Sequence, residues 1–250
     1  MDSVERFSNR VANYVKYRPH YPVAVVEHLK NEIGLTTEHV IADIGCGTGI
    51  SSELFLKNGN TLMGVEPNEA MRAAASEYLK QYSQFRLVDG TAEKTTLDDA
   101  SVDVVLAGQA FHWFDRERTK QEFARILKPG GHIVLMWNER QLDTTPFLVE
   151  YEALLVKYST DYTVVRHDRF DEAVLDAYFE HGIKKATFPN VQNVDLDGLK
   201  GRMLSASYMP NENDAAYPAL IDELQSLFAK HAQNGRINIL YDTNVYISQG

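Results

Sequence analysis

One cysteine, Cys46, stands in 250 residues, so no internal disulfide can staple the fold and a reducing compartment is the natural expectation. A lone thiol cannot build a thiolate zinc site, and the eight histidines form no H-x-x-x-H or carboxylate cluster, so no metal site is expected. No apolar run approaches the length of a membrane span, and the opening MDSVERFSNR lacks the apolar core of a signal peptide. Basic residues are in deficit. The 25 Lys+Arg against 35 Asp+Glu give a formal net charge of −10, which argues against a phosphate-backbone partner unless a local basic patch overrides it. There is no repeat, no low-complexity stretch and no Gly/Ser/Pro linker to split the chain. What remains is an ordinary globular composition, 44% hydrophobic and 24% charged, long enough to bury roughly 70–75% of its unfolded surface. The expectation is a cytoplasmic chain, monomer or homodimer, that touches no nucleic acid or membrane and faces a small molecule.

The first half alternates strand and helix patterns. HVIADI (39–44) is a short apolar run of the kind buried on both faces of a parallel sheet. The helical SSELFLKNG closes on Gly59 in a cap-like position, Thr61–Val65 reads as a second strand, and Pro67 can open the next helix at its first turn. Phe85–Val88, Val102–Leu106 and His132–Trp137 supply three more strands, the last preceded by a helix (RTKQEFARILK) that Pro129-Gly130-Gly131 stops. Such alternation predicts an α/β fold, doubly wound, with a mostly parallel sheet and right-handed crossovers. After Asn138 the rhythm changes. Residues 146–180, 196–208 and 215–232 read as helical, with strand patterns at Lys184–Val194 and Arg236–Ser248. Segments 139–180 and 196–232 are short and return to strand, so they read as helical insertions capping one domain over 1–250.

The informative stretch is IADIGCGTGI (41–50), where Gly45, Gly47 and Gly49 sit between a strand and a helix. Glycine there permits positive φ and close approach of a ligand to the backbone, at the end of the sheet where open α/β folds bind ligands. A tight turn without a ligand is the plain alternative. The dinucleotide fingerprint needs glycine where Ile50 stands, which disfavours a nicotinamide-dependent oxidoreductase. Glu66, 17 residues beyond Gly49, can accept both hydroxyls of a ribose.

IADIGCGTG, GVEPNEAM, SVDVVLAGQAFHWF and ILKPGGHIVLMWNER, in that order and at that spacing, resemble class I S-adenosylmethionine-dependent methyltransferases, specifically the small-molecule type called methyltransferase type 11. The resemblance covers residues 38–138, and RFSNRVANYVKYRPHYP is similar to the family's N-terminal lid (1–21). It implies a seven-stranded sheet of order 3-2-1-4-5-7-6 with the last strand antiparallel, helices on both faces, and S-adenosyl-L-methionine as cofactor. It implies that Asp43 and Gly45 hold the methionine end, that Gly47 and Gly49 shape its bed, and that Glu66 clasps the ribose. Pro67 and Asn68 would flank the adenine; Gln109 and Tyr17 would also touch the cofactor. Thr91 stands where the family usually has an Asp before Ala-Glu, so a hydroxyl replaces a charged contact to the adenine amino group, with the Ala92 N–H beside it.

For the chemistry, His112 in QAFHWF is the candidate general base, needed where the acceptor arrives protonated as a hydroxyl or ammonium. Its alternative is packing in an aromatic wall with Phe111, Trp113 and Phe114. Trp113, Arg140 and Tyr14 are the candidate acceptor contacts. Arg140 could grip a carboxylate as a fork or form an ordinary salt bridge. Tyr14, Tyr17, Arg18 and Tyr21 form a basic-aromatic cluster whose rings suit a cationic sulfonium or an amphipathic helix packed on the sheet. The expected function is methyl transfer to a small molecule with a hydroxyl or carboxylate. Methylation of nucleic acid or protein, and cofactor binding without turnover, are the alternatives.

Overall fold

A computed structural model describes residues 17–159, 175, 178–179, 182–206 and 208–250. The expectation for Tyr14, most of the lid 1–21 and the middle of insertion 139–180 lies outside those residues.

Chain order runs α1 (Ala24–Ile33), β1 (Val40–Ile44), α2 (Ile50–Asn58), β2 (Thr61–Val65), α3 (Glu69–Tyr78), β3 (Phe85–Val88) and β4 (Val102–Gly108). A 3-10 turn at Phe111–Trp113 leads to α4 (Arg116–Ile126), β5 (Leu127–Arg140), α5 (Pro146–Tyr158), β6 (Lys184–Val194), α6 (Leu196–Leu204), α7 (Tyr217–His231) and β7 (Ile237–Gln249). The seven strands form one sheet in the order β3-β2-β1-β4-β5-β7-β6. β7 runs antiparallel to both β5 and β6, and the other neighbours pair in parallel. This is the expected topology, last strand included.

Alternation across the pleat explains the two-sided burial. Ile41, Val104, Leu106, Val134 and Met136 join α1 and α2 in one apolar cluster. Ala42, Ile44, Val105, Ala107, Leu135 and Trp137 point the other way, to Phe123 and Ile126 of α4. A third cluster lies beyond the sheet proper: Leu148, Tyr151 and Leu155 of α5, Leu199 and Met203 of α6, and Leu220 and Leu224 of α7 pack with Ile237, Ile239 and Tyr241 at the start of β7. The late helices thus share their core with the prolonged ends of β6 and β7.

Two boundaries differ from the sequence pattern. Pro67 does not open α3; Asn68 caps it, its side chain accepting from Met71 N at 3.1 Å, which leaves Pro67 one residue outside the helix. The fifth strand extends on both sides of His132–Trp137. At its amino end Pro129-Gly130-Gly131 is absorbed as an irregularity, Leu127 pairing with Val102 before the β4–β5 register shifts; at its carboxyl end β7 pairs along it as far as Arg140.

Candidate active site

β1 ends in the glycine loop, which β2 pins from the side: Gly45 N and Cys46 N both donate to Val65 O, at 2.8 and 3.2 Å. Gly49 precedes α2 at φ 88°, where any side chain would be strained, and a Cβ there would stand 2.5 Å from Leu79 Cδ1 and have to displace it. Gly47, at φ 55°, has nothing within 4 Å of where its Cβ would be, so its open side is available to a ligand. Cys46 is a buried filler within the loop. Burial, with Asp43 and Glu66 nearby, pushes its thiol up and away from thiolate reactivity.

Asp43 is fully buried at the base of the loop. Its Oδ2 accepts from Ser51 Oγ at 2.7 Å and Ser52 Oγ at 2.6 Å, both from the first turn of α2. Its Oδ1 is buried with no hydrogen bond among the described residues, as is the hydroxyl of Thr48. Burial raises the Asp43 carboxyl to about 6, against the lowering by the two serines. Across the loop Glu66 Oε2 accepts from Gly47 N at 3.0 Å, and Oε1 from Asn68 N at 2.9 Å. Burial raises this carboxyl too, opposed by those two N–H groups and Arg72. Two acceptor-only carboxylates therefore flank one open glycine. A buried acceptor without a donor is costly unless a ligand supplies one, and the ammonium and ribose hydroxyls of S-adenosylmethionine are such donors. The residues present fit that cofactor.

The exit of β4 packs onto the same loop, since a Cβ at Gly45 would meet Ala110 at 2.8 Å and Phe114 at 3.5 Å. Gln109 sits at φ 59°, a left-handed conformation costing a non-glycine residue about 1–2 kcal/mol. It is held there by Gln109 N donating to Met136 O at 2.9 Å and Nε2 to Asn138 O at 3.0 Å. His112 follows, half-buried, its ring 4.9 Å from that of Trp113, which is 40% exposed. Phe111 beneath them is buried against Tyr178 at 4.8 Å. Thr91 is exposed and pairs its backbone with Lys94, whereas Ala92 is buried in the core beside β1.

The N-terminal segment is tied across this end of the sheet by a side chain the motifs did not single out for that work. Asn138 Nδ2 donates to Pro19 O and His20 O, both at 3.3 Å, while its Oδ1 accepts from Asn190 Nδ2 at 3.0 Å and from Thr243. His20 Nδ1 meets Glu53 Oε2 at 3.3 Å. Tyr21 brings its hydroxyl over Gly108 and Ser51, where a Cβ on Gly108 would lie 2.9 Å from it. Tyr17 lies against Gly201 of α6, and its carbonyl accepts from Gln192 Nε2 at 2.7 Å. Arg140, 10% exposed, is paired with Glu152 of α5 and stands 5.2 Å over the Tyr151 ring. Asp43, the three glycines, Glu66, Asn68 and the β4 exit are thus contiguous, whereas Tyr17 and Arg140 belong with α5, α6 and the strand ends. Ser51, Ser52 and Asn138 join the site through contacts that no local spacing announces.

A family model described as a methyltransferase domain matches residues 42–135. A methyltransferase-like protein of Schizosaccharomyces pombe, itself uncharacterized, is 26% identical over 98% of this chain and 96% of its own length. An uncharacterized methyltransferase of Mycobacterium tuberculosis is 37% identical over 54% of this chain and 52% of its own. A solved structure from Anaeromyxobacter dehalogenans, assigned to the type II methyltransferases, has the same fold at 20% identity and TM-score 0.69, covering 94% of this chain and 97% of that one. The matched segment begins inside β1 and ends inside β5, and so takes in the glycine loop, Glu66 and the β4 exit. Residues 42–135 thus match a methyltransferase domain, and the chain as a whole shares the fold of that solved methyltransferase structure.

Proposed function

We propose that this enzyme methylates a small molecule at a hydroxyl or carboxylate, within one domain whose late helices build the acceptor side. The observation that carries the reading is the buried, donor-less Oδ1 of Asp43 next to the open face of Gly47. When bound, S-adenosylmethionine supplies an electrophilic methyl carbon for in-line displacement. The chain's own work is alignment and exclusion of water. Asp43 and Gly45 hold the charged amino-acid end, Gly47 leaves room for it while Gly49 shapes the loop by packing on Leu79, and Glu66 accepts from the ribose. Pro67, Asn68, Thr91 and Ala92 border the adenine, Gln109 closes the cofactor side, and Tyr17, seated against Gly201 of α6, stands between the cofactor and the late helices. His112 takes a proton at a ring nitrogen when the acceptor arrives as a hydroxyl; a carboxylate needs no base. Trp113, 40% exposed at the β4 exit, and Arg140, held by Glu152, contact the acceptor. The net charge of −10 and the apolar packing of α5, α6 and α7 support a small acceptor over a nucleic acid.

The test is calorimetric titration with S-adenosylmethionine and with NAD, followed by a screen of small acids and alcohols for release of S-adenosylhomocysteine. Binding of the sulfonium cofactor alone, with turnover on at least one small acceptor, is the expected result. Turnover confined to nucleic acid or protein would overturn the acceptor class.

A further inference from the structure

Arg202 of α6 is unlike three other sheltered arginines of this protein, Arg72, Arg125 and Arg140. Arg72 grips Asp89 with both Nη atoms, Arg125 grips Glu122 and Asp99, and Arg140 pairs with Glu152. Arg202 is partly buried, yet among the described residues it has no carboxylate partner. Its one hydrogen bond is from Nε to the Tyr241 hydroxyl at 3.0 Å, which leaves both Nη groups unspent. Its surroundings are phenolic: Cζ lies 6.0 Å from the Tyr241 ring, with Tyr151 and Tyr208 also close enough to act on its charge. Tyr151 is 2% exposed, stacked on Phe147, and its hydroxyl makes no hydrogen bond among the described residues. Arg140 stands over that same ring. Arg140 and Arg202 therefore meet at the Arg140–Tyr241 register pair, in the same cluster as Tyr151, while Glu152 answers only one of them among the described residues.

The location gives the unanswered guanidinium a meaning. Tyr241 is the register partner of Arg140 at the carboxyl end of β5. Arg140 is two residues beyond Asn138, whose carbonyl holds Gln109 at the exit of β4. The unspent fork is thus at the same end of the sheet as the glycine loop, on the side of the late helices. A planar fork with free N–H groups beside an unpartnered phenol matches a carboxylate held by two parallel hydrogen bonds and a third from the hydroxyl.

We infer that Arg202, with Tyr151, binds a carboxylate of the acceptor, so that the substrate is a small organic acid anchored by a group other than the reacting atom. This deepens, and rests on, the small-molecule methylation reading. Protein loaded with S-adenosylhomocysteine is titrated calorimetrically with acetate, succinate, citrate and benzoate, with the uncharged succinamide, and with glycerol 3-phosphate. At least one carboxylate should bind and succinamide should not. Arg202→Met should weaken that carboxylate by at least about tenfold, as loss of a charge-assisted pair does. Arg202→Lys, which keeps the charge and loses the fork, should fall between. Affinity for S-adenosylhomocysteine should stay unchanged in both, which also reports that both variants fold. Equal carboxylate binding by Arg202→Met, no carboxylate binding at all, or binding of the phosphate monoester alone would overturn the assignment. The same titration on cofactor-free protein reads the anion site independently, because failure to bind S-adenosylhomocysteine would remove the methyltransferase reading of the crevice and not this one.

Discussion

Asp43 sets two demands against each other at a single carboxyl. Its folded value of about 6 lies above the ordinary 3.8, so folding favours the protonated acid. That contribution to stability is complete below 3.8 and lost as pH rises through 6. The ionised form that would accept from the cofactor's ammonium dominates only above that point. Cofactor affinity, followed by calorimetry, should therefore drop between pH 7 and 5. Asp43→Asn should bind the cofactor at least about tenfold more weakly at pH 7, as expected on losing a charge-assisted hydrogen bond, with no such pH dependence and no loss of melting temperature at pH 7. An unaltered pH profile in the variant would contradict this role. His112 makes a different prediction, because it stands at the β4 exit and not in the glycine loop. His112→Ala should lower turnover on a hydroxyl acceptor and leave cofactor affinity alone. Undiminished turnover would return His112 to the aromatic wall with Trp113.

At the scale of elements, each segment is placed by few polar ties and much apolar packing. α4 is fastened to the loop after β3 by Glu122, which accepts from Thr95 N at 2.7 Å, Thr95 Oγ1 at 2.6 Å and Arg125 Nε at 2.9 Å. The Arg125 guanidinium holds this carboxyl down at about 2, against an ordinary 4.5, with Thr95 assisting against burial. The stability it contributes is present above 4.5 and lost as pH falls through 2. Glu122→Gln should cost about 1–3 kcal/mol at pH 7, read as a lower urea midpoint, and the gap to the unaltered protein should close between pH 4.5 and 2. A gap that persists at low pH would mean that shape, and not charge, makes the tie. Elements of this kind were legible beforehand: alternation along β1, β4 and β5 follows from burial on both faces, and Gly59 caps α2 at φ 101°. The misread boundaries were those at which a side chain or a partner strand decides, as Asn68 does for α3 and β7 does for β5.

At the scale of the whole molecule, Asn138 is the junction. It ties residues 19–20 to β5, β6 and β7 at once, and its carbonyl holds Gln109 of the β4 exit. Asn138→Ala strands several buried polar groups together, at about 1–3 kcal/mol for each one left unsatisfied. It should lower the urea midpoint and weaken cofactor binding in the same variant. An unchanged midpoint would show that apolar packing alone fixes this end of the sheet. By itself the sequence determined the alternation of strands and helices and the glycine loop with Asp43 and Glu66 beside it, because strand–loop–helix spacing and φ > 0 positions are local properties that neighbouring residues dictate; the strand order followed from the resemblance of its motifs to a known family. The tertiary structure alone decided that Ser51 and Ser52 grip Asp43, that Arg140 is matched by Glu152, and that Arg202 is left with an open fork among tyrosines. The two serines reach Asp43 because the glycine loop turns α2 back over the end of β1, and Tyr241 reaches Arg202 because the antiparallel return of β7 beside β5 brings it to that end of the sheet.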